Sequence, residues 1–209
     1  MDKAKELKIV AEEIAICDKC PLSKTRSKTV PGEGNSNAEI MFIGEAPGFN
    51  EDQKGIPFCG AAGSFLAEML AEIGLERSDV FIANTLKCRP PENRDPEESE
   101  KEACKSYLER QIKIIEPKLI VCLGRHSMSA LMPGAGSITQ LHGKAVRRPS
   151  GQVYLALYHP AAALHNGGLR QTLIEDFQKI PAILNKLKTN NEKLITKEED
   201  SNIKQQKLI

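Results

Sequence analysis

The chain has 209 residues, enough to bury one full core in a single domain. Apolar residues make up 40 % of it, and no apolar run approaches a membrane span, so a soluble protein is expected. A formal net charge of +1 excludes a polycation, and any contact with nucleic acid must come from a local basic patch.

The N-terminal stretch is charged and lacks a signal-peptide core, which predicts a cytoplasmic protein. Lys5 to Ile16 carries Leu7, Val10, Ala11 and Ile14 on one helical face. It runs into Cys17-Asp-Lys-Cys20-Pro21, then a basic segment over 23–28 and a loop rich in glycine and proline over 31–37. Ile40 to Ile43 is an unbroken apolar run, the pattern of a strand buried on both faces. It stops at Gly44, and a turn with one carboxylate, Glu45, follows. Phe58 lies a little further on, in a loop between Pro57 and Gly60. Ala62 to Ile73 repeats apolar residues at helical spacing and ends at Gly74.

Val80 to Ala83 predicts a second strand, ended by Asn84. The loop from Lys87 to Pro96 is too rich in proline for regular structure, and Glu97 to Glu116 predicts a charged amphipathic helix. Leu119 to Leu123 predicts a third strand, Arg125 to Leu131 a short helix, and Gln152 to Tyr158 a fourth strand ended by His159-Pro160. Leu169 to Leu187 predicts one last helix. Residues 1–189 are expected to form one domain, and the Lys-, Glu-, Asn- and Gln-rich residues 190–209 a flexible tail. The final Gln205-Gln-Lys-Leu-Ile209 is a candidate peptide for docking onto a sliding clamp.

Strands alternating with helices predict an α/β fold, a parallel sheet of four strands with helices on both sides. In such sheets ligands sit beyond the carboxyl ends of the strands. Glu45, Asn84 and His159 each fall at a strand end, so all three are expected on one edge.

Six cysteines in a chain without a secretion signal point to metal or a redox centre rather than to disulfides. Cys17 and Cys20 form a C-x-x-C, whereas fifteen residues separate Cys88 from Cys104. A zinc ribbon repeats the tight spacing in its second half, so zinc and an iron–sulfur cluster both stay open on spacing alone. Cys122 reads as a core residue within an apolar strand, and Cys59 as packing rather than a reactive thiol.

Five motifs in order, Cys-x-x-Cys-Pro-Leu, Gly-Glu-Ala-Pro-Gly-x-x-Glu, Pro-Phe-x-Gly-x-x-Gly, Asn-x-x-Lys-Cys-Arg-Pro-Pro and a late His-Pro, resemble the family 4 uracil-DNA glycosylases. The resemblance runs from Cys17 to about Leu187. It implies a three-layer α/β/α fold, a 4Fe–4S cluster on Cys17, Cys20, Cys88 and Cys104, and hydrolytic release of uracil from single- or double-stranded DNA by a monomer. The uracil pocket it implies comprises Gly44, Glu45, Ala46, Phe58, Asn84 and His159. Phe58 would stack on the flipped base. Asn84 would match uracil O4 and N3–H, a pattern that cytosine reverses. His159 would donate to uracil O2 as charge builds on the leaving group. In family 1 relatives an aspartate at the position of Ala46 orients the water; with alanine here the task falls to Glu45, with Glu51 as a second candidate.

Lys24, Arg26, Arg89 and Arg94 are expected to contact phosphates, together with Lys19 and Lys28, and Leu164 is the candidate wedge for the gap left by the base. His126 and His142 lack a comparable setting, and His126 reads as capping or packing at a helix start. Alternatives are a broader-specificity glycosylase of deaminated bases and a non-catalytic iron–sulfur or zinc module that binds nucleic acid.

Overall fold

The computed structural model describes residues 2–164 and 166–189. The expected tail over 190–209, with its Gln205–Ile209 peptide, and His165 lie outside them. The chain begins with α1 (Lys3–Ala15), then β1 (Glu33–Gly34), β2 (Ile40–Gly44), α2 (Phe49–Lys54) and α3 (Ala61–Glu72). Next come β3 (Phe81–Asn84), α4 (Glu98–Ile115), β4 (Leu119–Leu123), α5 (Arg125–Leu131) and α6 (Ile138–Leu141). The series closes with β5 (Ala145–Arg147), β6 (Val153–Leu157), α7 (Pro160–Leu164) and α8 (Gly167–Phe177), and residues 180–189 are again helical.

Among the described residues the sheet has six strands, in the order β1-β3-β2-β4-β6-β5. Its four inner strands are the predicted ones and pair in parallel. The prediction of four strands omitted β1 and β5, which pair antiparallel along the two edges. Two residues of β1 and three of β5 are too few to show an alternating pattern.

The unbroken apolar runs follow from burial on both faces. Ile40 and Phe42 of β2 pack with Phe65, Leu66, Met69 and Leu70 of α3 and with Leu173 and Phe177 of α8. Met41 and Ile43 face the other way, against Leu108 and Ile115 of α4 and Met128 of α5. The result is three layers, helix on sheet on helix. α1 lies outside α4, with Val10 and Ile14 against Tyr107. The expected last helix is instead two segments, separated at residues 178–179. Pro181 has no N–H to give the carbonyl of Phe177, which ends α8 there.

Among the described residues no helix is long and apolar enough to cross a membrane.

Phe42 and Phe177 stack near the middle of the first core, ring centroids 5.4 Å apart. Phe42→Ala should remove that pair and leave a void between sheet and helix, a loss of about 3–5 kcal/mol. The measurement is the urea unfolding midpoint, expected to fall with the slope unchanged.

Candidate active site and cysteine centre

The parallel strands β2, β3 and β6 deliver their C-terminal residues to one edge of the sheet. Pairing between β2 and β3 continues beyond it. The Thr85 N–H donates to the Gly44 carbonyl at 3.0 Å, and the Glu45 carbonyl accepts from the Leu86 N–H at 3.0 Å and the Thr85 hydroxyl at 2.5 Å. On the other side of β2 the buried Ser127 hydroxyl donates to the Ile43 carbonyl at 2.5 Å. The turn bearing Glu45 is thereby fixed against Asn84.

A cavity of about 300 Å³ opens at this edge, lined by Glu45, Ala46, Gly48, Glu51, Phe58, Asn84, Asn93, Arg94 and His159 among others. Its size falls at the lower end of small-ligand clefts. Gly44 supports it from beneath: a Cβ there would collide with Asn84 Oδ1 and come within 2.8 Å of Phe58 Cζ. All six residues expected around the pocket therefore meet in one place.

Phe58 is 5 % exposed and belongs to the core as well as to the cavity wall. Its φ of 50° is an uncommon, strained value for a residue with a side chain. Arg77 holds it there, donating to the carbonyls of Phe58 at 3.2 Å and Pro57 at 2.8 Å and pairing with Glu33 at 2.5 Å. The Phe58 and His159 rings lie 5.5 Å apart, with 27° between their planes.

The tautomer of His159 is set by the backbone. The Ala161 N–H donates to Nδ1 at 3.1 Å, so Nδ1 is an acceptor and the neutral ring carries its proton on Nε2. Burial alone pulls the imidazole down to about 4, so it is neutral at pH 7. Gly124, at φ 92°, lets the chain turn after β4 with 3.1 Å between its would-be Cβ and His159 Cβ.

Glu45 titrates above the ordinary carboxylate range, chiefly because it is partly buried; His126 opposes the shift, Asp95 adds to it, and Arg125 and Lys101 oppose it from further off. His126 Nε2 stands 3.8 Å from Glu45 and 3.4 Å from Asp95. The expected capping or packing role for His126 is thus incomplete: from the first turn of α5 it faces an acid of the cavity. No sequence spacing signals this, because the three residues come from three separate loops and helices. Glu51 also lines the cavity, and its carboxylate accepts from the Cys59 N–H at 3.2 Å. That thiol is pushed up by burial and by Glu51, as suits a packing residue. His142 is bound to Asp176 at 2.6 Å, away from the cavity.

Three cysteines of the expected ligand set pack together: Cys88 and Cys104 are buried with Leu22 and Leu86, and Cys20 lies against them. Cys17 packs beside Val10 and Ile14 in the adjoining cluster, near enough for its charge, with that of Cys20, to act on Cys88. Ala46 touches the Cys88 and Cys104 group too, so it shares a wall with the cavity. A tetrahedral zinc ion about 2.3 Å from each sulfur would hold the sulfurs about 4 Å apart. Four thiol sulfurs gathered from three chain segments, two of them buried, form a donor set that fits zinc or an iron–sulfur cluster. Cys122 stands apart in β4, fully buried and pushed up to about 12.

The basic residues divide. Lys24 is exposed beside the cysteine loop. Arg26 lies 3.2 Å from Cys88 Sγ. Arg89 bonds Asn93 through Nε at 2.8 Å. Arg94 departs from the expected phosphate contact: both its terminal nitrogens are taken by the buried Glu100, at 2.6 and 2.9 Å, and it braces the proline-rich loop. Lys19 sits over the Tyr107 ring at 4.6 Å. Leu164 is 38 % exposed at the end of α7.

The profile of the uracil DNA glycosylase superfamily matches residues 31–188. The chain belongs to that superfamily. It is 53 % identical to the Type-4 uracil-DNA glycosylase of Sulfurisphaera tokodaii, over 86 % of this chain and 84 % of the relative. Identity is 51 % with that of Saccharolobus solfataricus, covering 85 % and 86 %, and 47 % with that of Archaeoglobus fulgidus, covering 85 % and 92 %.

Lys87 stands in the Asn-x-x-Lys-Cys-Arg-Pro-Pro motif, where the sequence assigns it no role. It is fully buried, and its ammonium nitrogen donates to the Asn84 carbonyl at 2.9 Å and to Gln111 Oε1 at 2.8 Å. Gln111 in turn donates to the Pro31 carbonyl at 2.7 Å. Burial lowers the amine to about 7. Lys87→Met should leave two buried acceptors unpaired and cost about 2–4 kcal/mol, read as a drop in thermal midpoint. A midpoint unchanged from wild type would show that the network holds nothing.

Proposed function

We infer that the protein is a uracil-DNA glycosylase that hydrolyses the N-glycosidic bond of deoxyuridine in DNA, the first step of base-excision repair. The observation that carries this reading is the single cavity where an acid, a carboxamide, an aromatic ring and a neutral Nε2–H imidazole meet. A stacked base is out of reach of such a cavity, so the deoxyuridine must be extruded into it. Phe58 supplies the apolar surface. Asn84 pairs with uracil O4 and N3–H; cytosine leaves these buried groups unmatched at a cost of about 1–3 kcal/mol each.

Bond breaking moves the electron pair of the C1′–N1 bond onto uracil. The His159 Nε2–H donates to uracil O2, where part of that charge collects, and being neutral it does so without gaining or losing a proton. One water adds its oxygen to C1′, and the proton it loses balances the uracil anion. Glu45 holds that water when ionised, with Glu51 across the cavity. The released products are free uracil and an abasic site.

Cys17, Cys20, Cys88 and Cys104 would hold a 4Fe–4S cluster. It supplies a tie between distant loops rather than electrons, since hydrolysis consumes none. Those loops carry Lys24, Arg26 and Arg89, which contact phosphates, and Leu164 fills the gap in the duplex from α7. Arg94 acts from within, by holding the loop of Asn93.

Release of uracil from a U-containing oligonucleotide tests the enzyme reading. Single-turnover rates are expected to fall about 10²–10³-fold in His159→Ala, and strongly in Asn84→Ala. Because burial holds Glu45 above the ordinary carboxylate range, wild-type rate should decline as pH falls through a midpoint higher than that of a free carboxylate. Glu45→Gln should be slow and lack that acid limb. Undiminished cleavage by Glu45→Gln would remove Glu45 from the mechanism.

The cluster has its own readout. Purified protein should contain about four irons per chain and absorb visible light, and Cys104→Ala should lose both. One zinc per chain would overturn the assignment.

A further inference from the structure

Phe49 and Arg89 stand together on the lip of the cavity, and the chemistry above leaves the aromatic ring without a task. Phe49 is 58 % exposed. The Arg89 guanidinium carbon lies 5.2 Å from its ring centroid. Each is the chain neighbour of a cavity-lining residue: Phe49 follows Gly48, and Arg89 precedes Pro90. The pair is also held in place. Phe49 is the first residue of α2 rather than a loop tip, and Arg89 is fixed through Nε to Asn93, itself a lining residue.

We propose that Phe49 and Arg89 form a stacking subsite for a nucleobase next to the flipped deoxyuridine in the same strand. The proposal rests on the reading of the cavity as a uracil pocket. A nucleotide drawn into that cavity brings its chain neighbours to the lip, and each neighbour has lost a stacking partner. An exposed ring beside a guanidinium plane replaces the lost face. Every base has such a face, so the subsite takes any base and adds affinity without sequence preference. It is separate from the wedge position. Leu164 follows β6, whereas Phe49 follows β2 and Arg89 follows β3. A phosphate contact by Arg89 alone gives no reason for an exposed phenyl ring under it.

The experiment uses the full chain and single-stranded oligonucleotides carrying 2′-fluorodeoxyuridine, which binds without being cleaved, with 2-aminopurine on its 5′ or its 3′ side. Wild type is expected to change the 2-aminopurine emission on one of the two sides. Phe49→Ala should lose that signal and bind about tenfold more weakly, the effect of one unstacked base, while Phe49→Trp keeps both. Replacing the reporting base by an abasic analogue should weaken wild type by the same factor and leave Phe49→Ala unaffected. Wild-type affinity in Phe49→Ala, or an equal loss in that variant on the abasic-flank strand, overturns the subsite. The parent reading has its own check: wild type that releases no uracil from an ordinary strand overturns the pocket, whereas normal release with indifferent Phe49 variants overturns the subsite alone.

Discussion

The site depends on a short extension of sheet pairing beyond the sheet itself. After β2 and β3 end, the carbonyls of Gly44 and Glu45 go on accepting from Thr85 and Leu86. Two loops that would otherwise diverge stay in contact for one more step. That step puts an acid beside a carboxamide, and three residues later it puts Cys88 beside Cys104. Gly44 makes the approach possible by having no side chain. Cavity and cysteine centre are two products of one register, and Ala46 touches both.

Burial then sets the chemistry by penalising charge. It keeps the His159 imidazole neutral, raises Glu45 and lowers Lys87, each for the same reason of lost hydration. Hydrogen bonds decide what remains. The Ala161 amide selects the His159 tautomer, and the Asn84 carbonyl and Gln111 give the Lys87 amine its partners. A donor that stays neutral suits a reaction in which negative charge spreads over a ring rather than settling on one atom.

Much of this was legible in the sequence because buried parallel strands leave a simple trace. The four inner strands appear as apolar runs, and the polar groups of the cavity, Glu45, Asn84 and His159, lie at or just past the ends of three of them. Edge strands β1 and β5 left no trace, being too short for periodicity. Helix α2 was hidden because Phe49 to Lys54 is mostly polar and reads as part of a glycine-flanked loop. The apolar period over Leu169 to Leu187 was sound, but it outweighed Pro181, which divides the helix. His126 and Lys87 were missed for a different reason. Their partners lie far off in sequence, and no local pattern encodes a contact between α5 and the turn after β2, or between Lys87 and α4. Arg94 shows the converse: a basic residue in a basic stretch whose charge is already matched by Glu100.

The Arg77 side chain reaches the carbonyls of Pro57 and Phe58 and also Glu33, a residue of edge strand β1. The rim of the sheet is therefore mechanically tied to the aromatic wall of the cavity. Sequence drift at Glu33, remote from any reacting atom, would register as altered grip on substrate, so this small outer strand belongs to the enzyme's working parts.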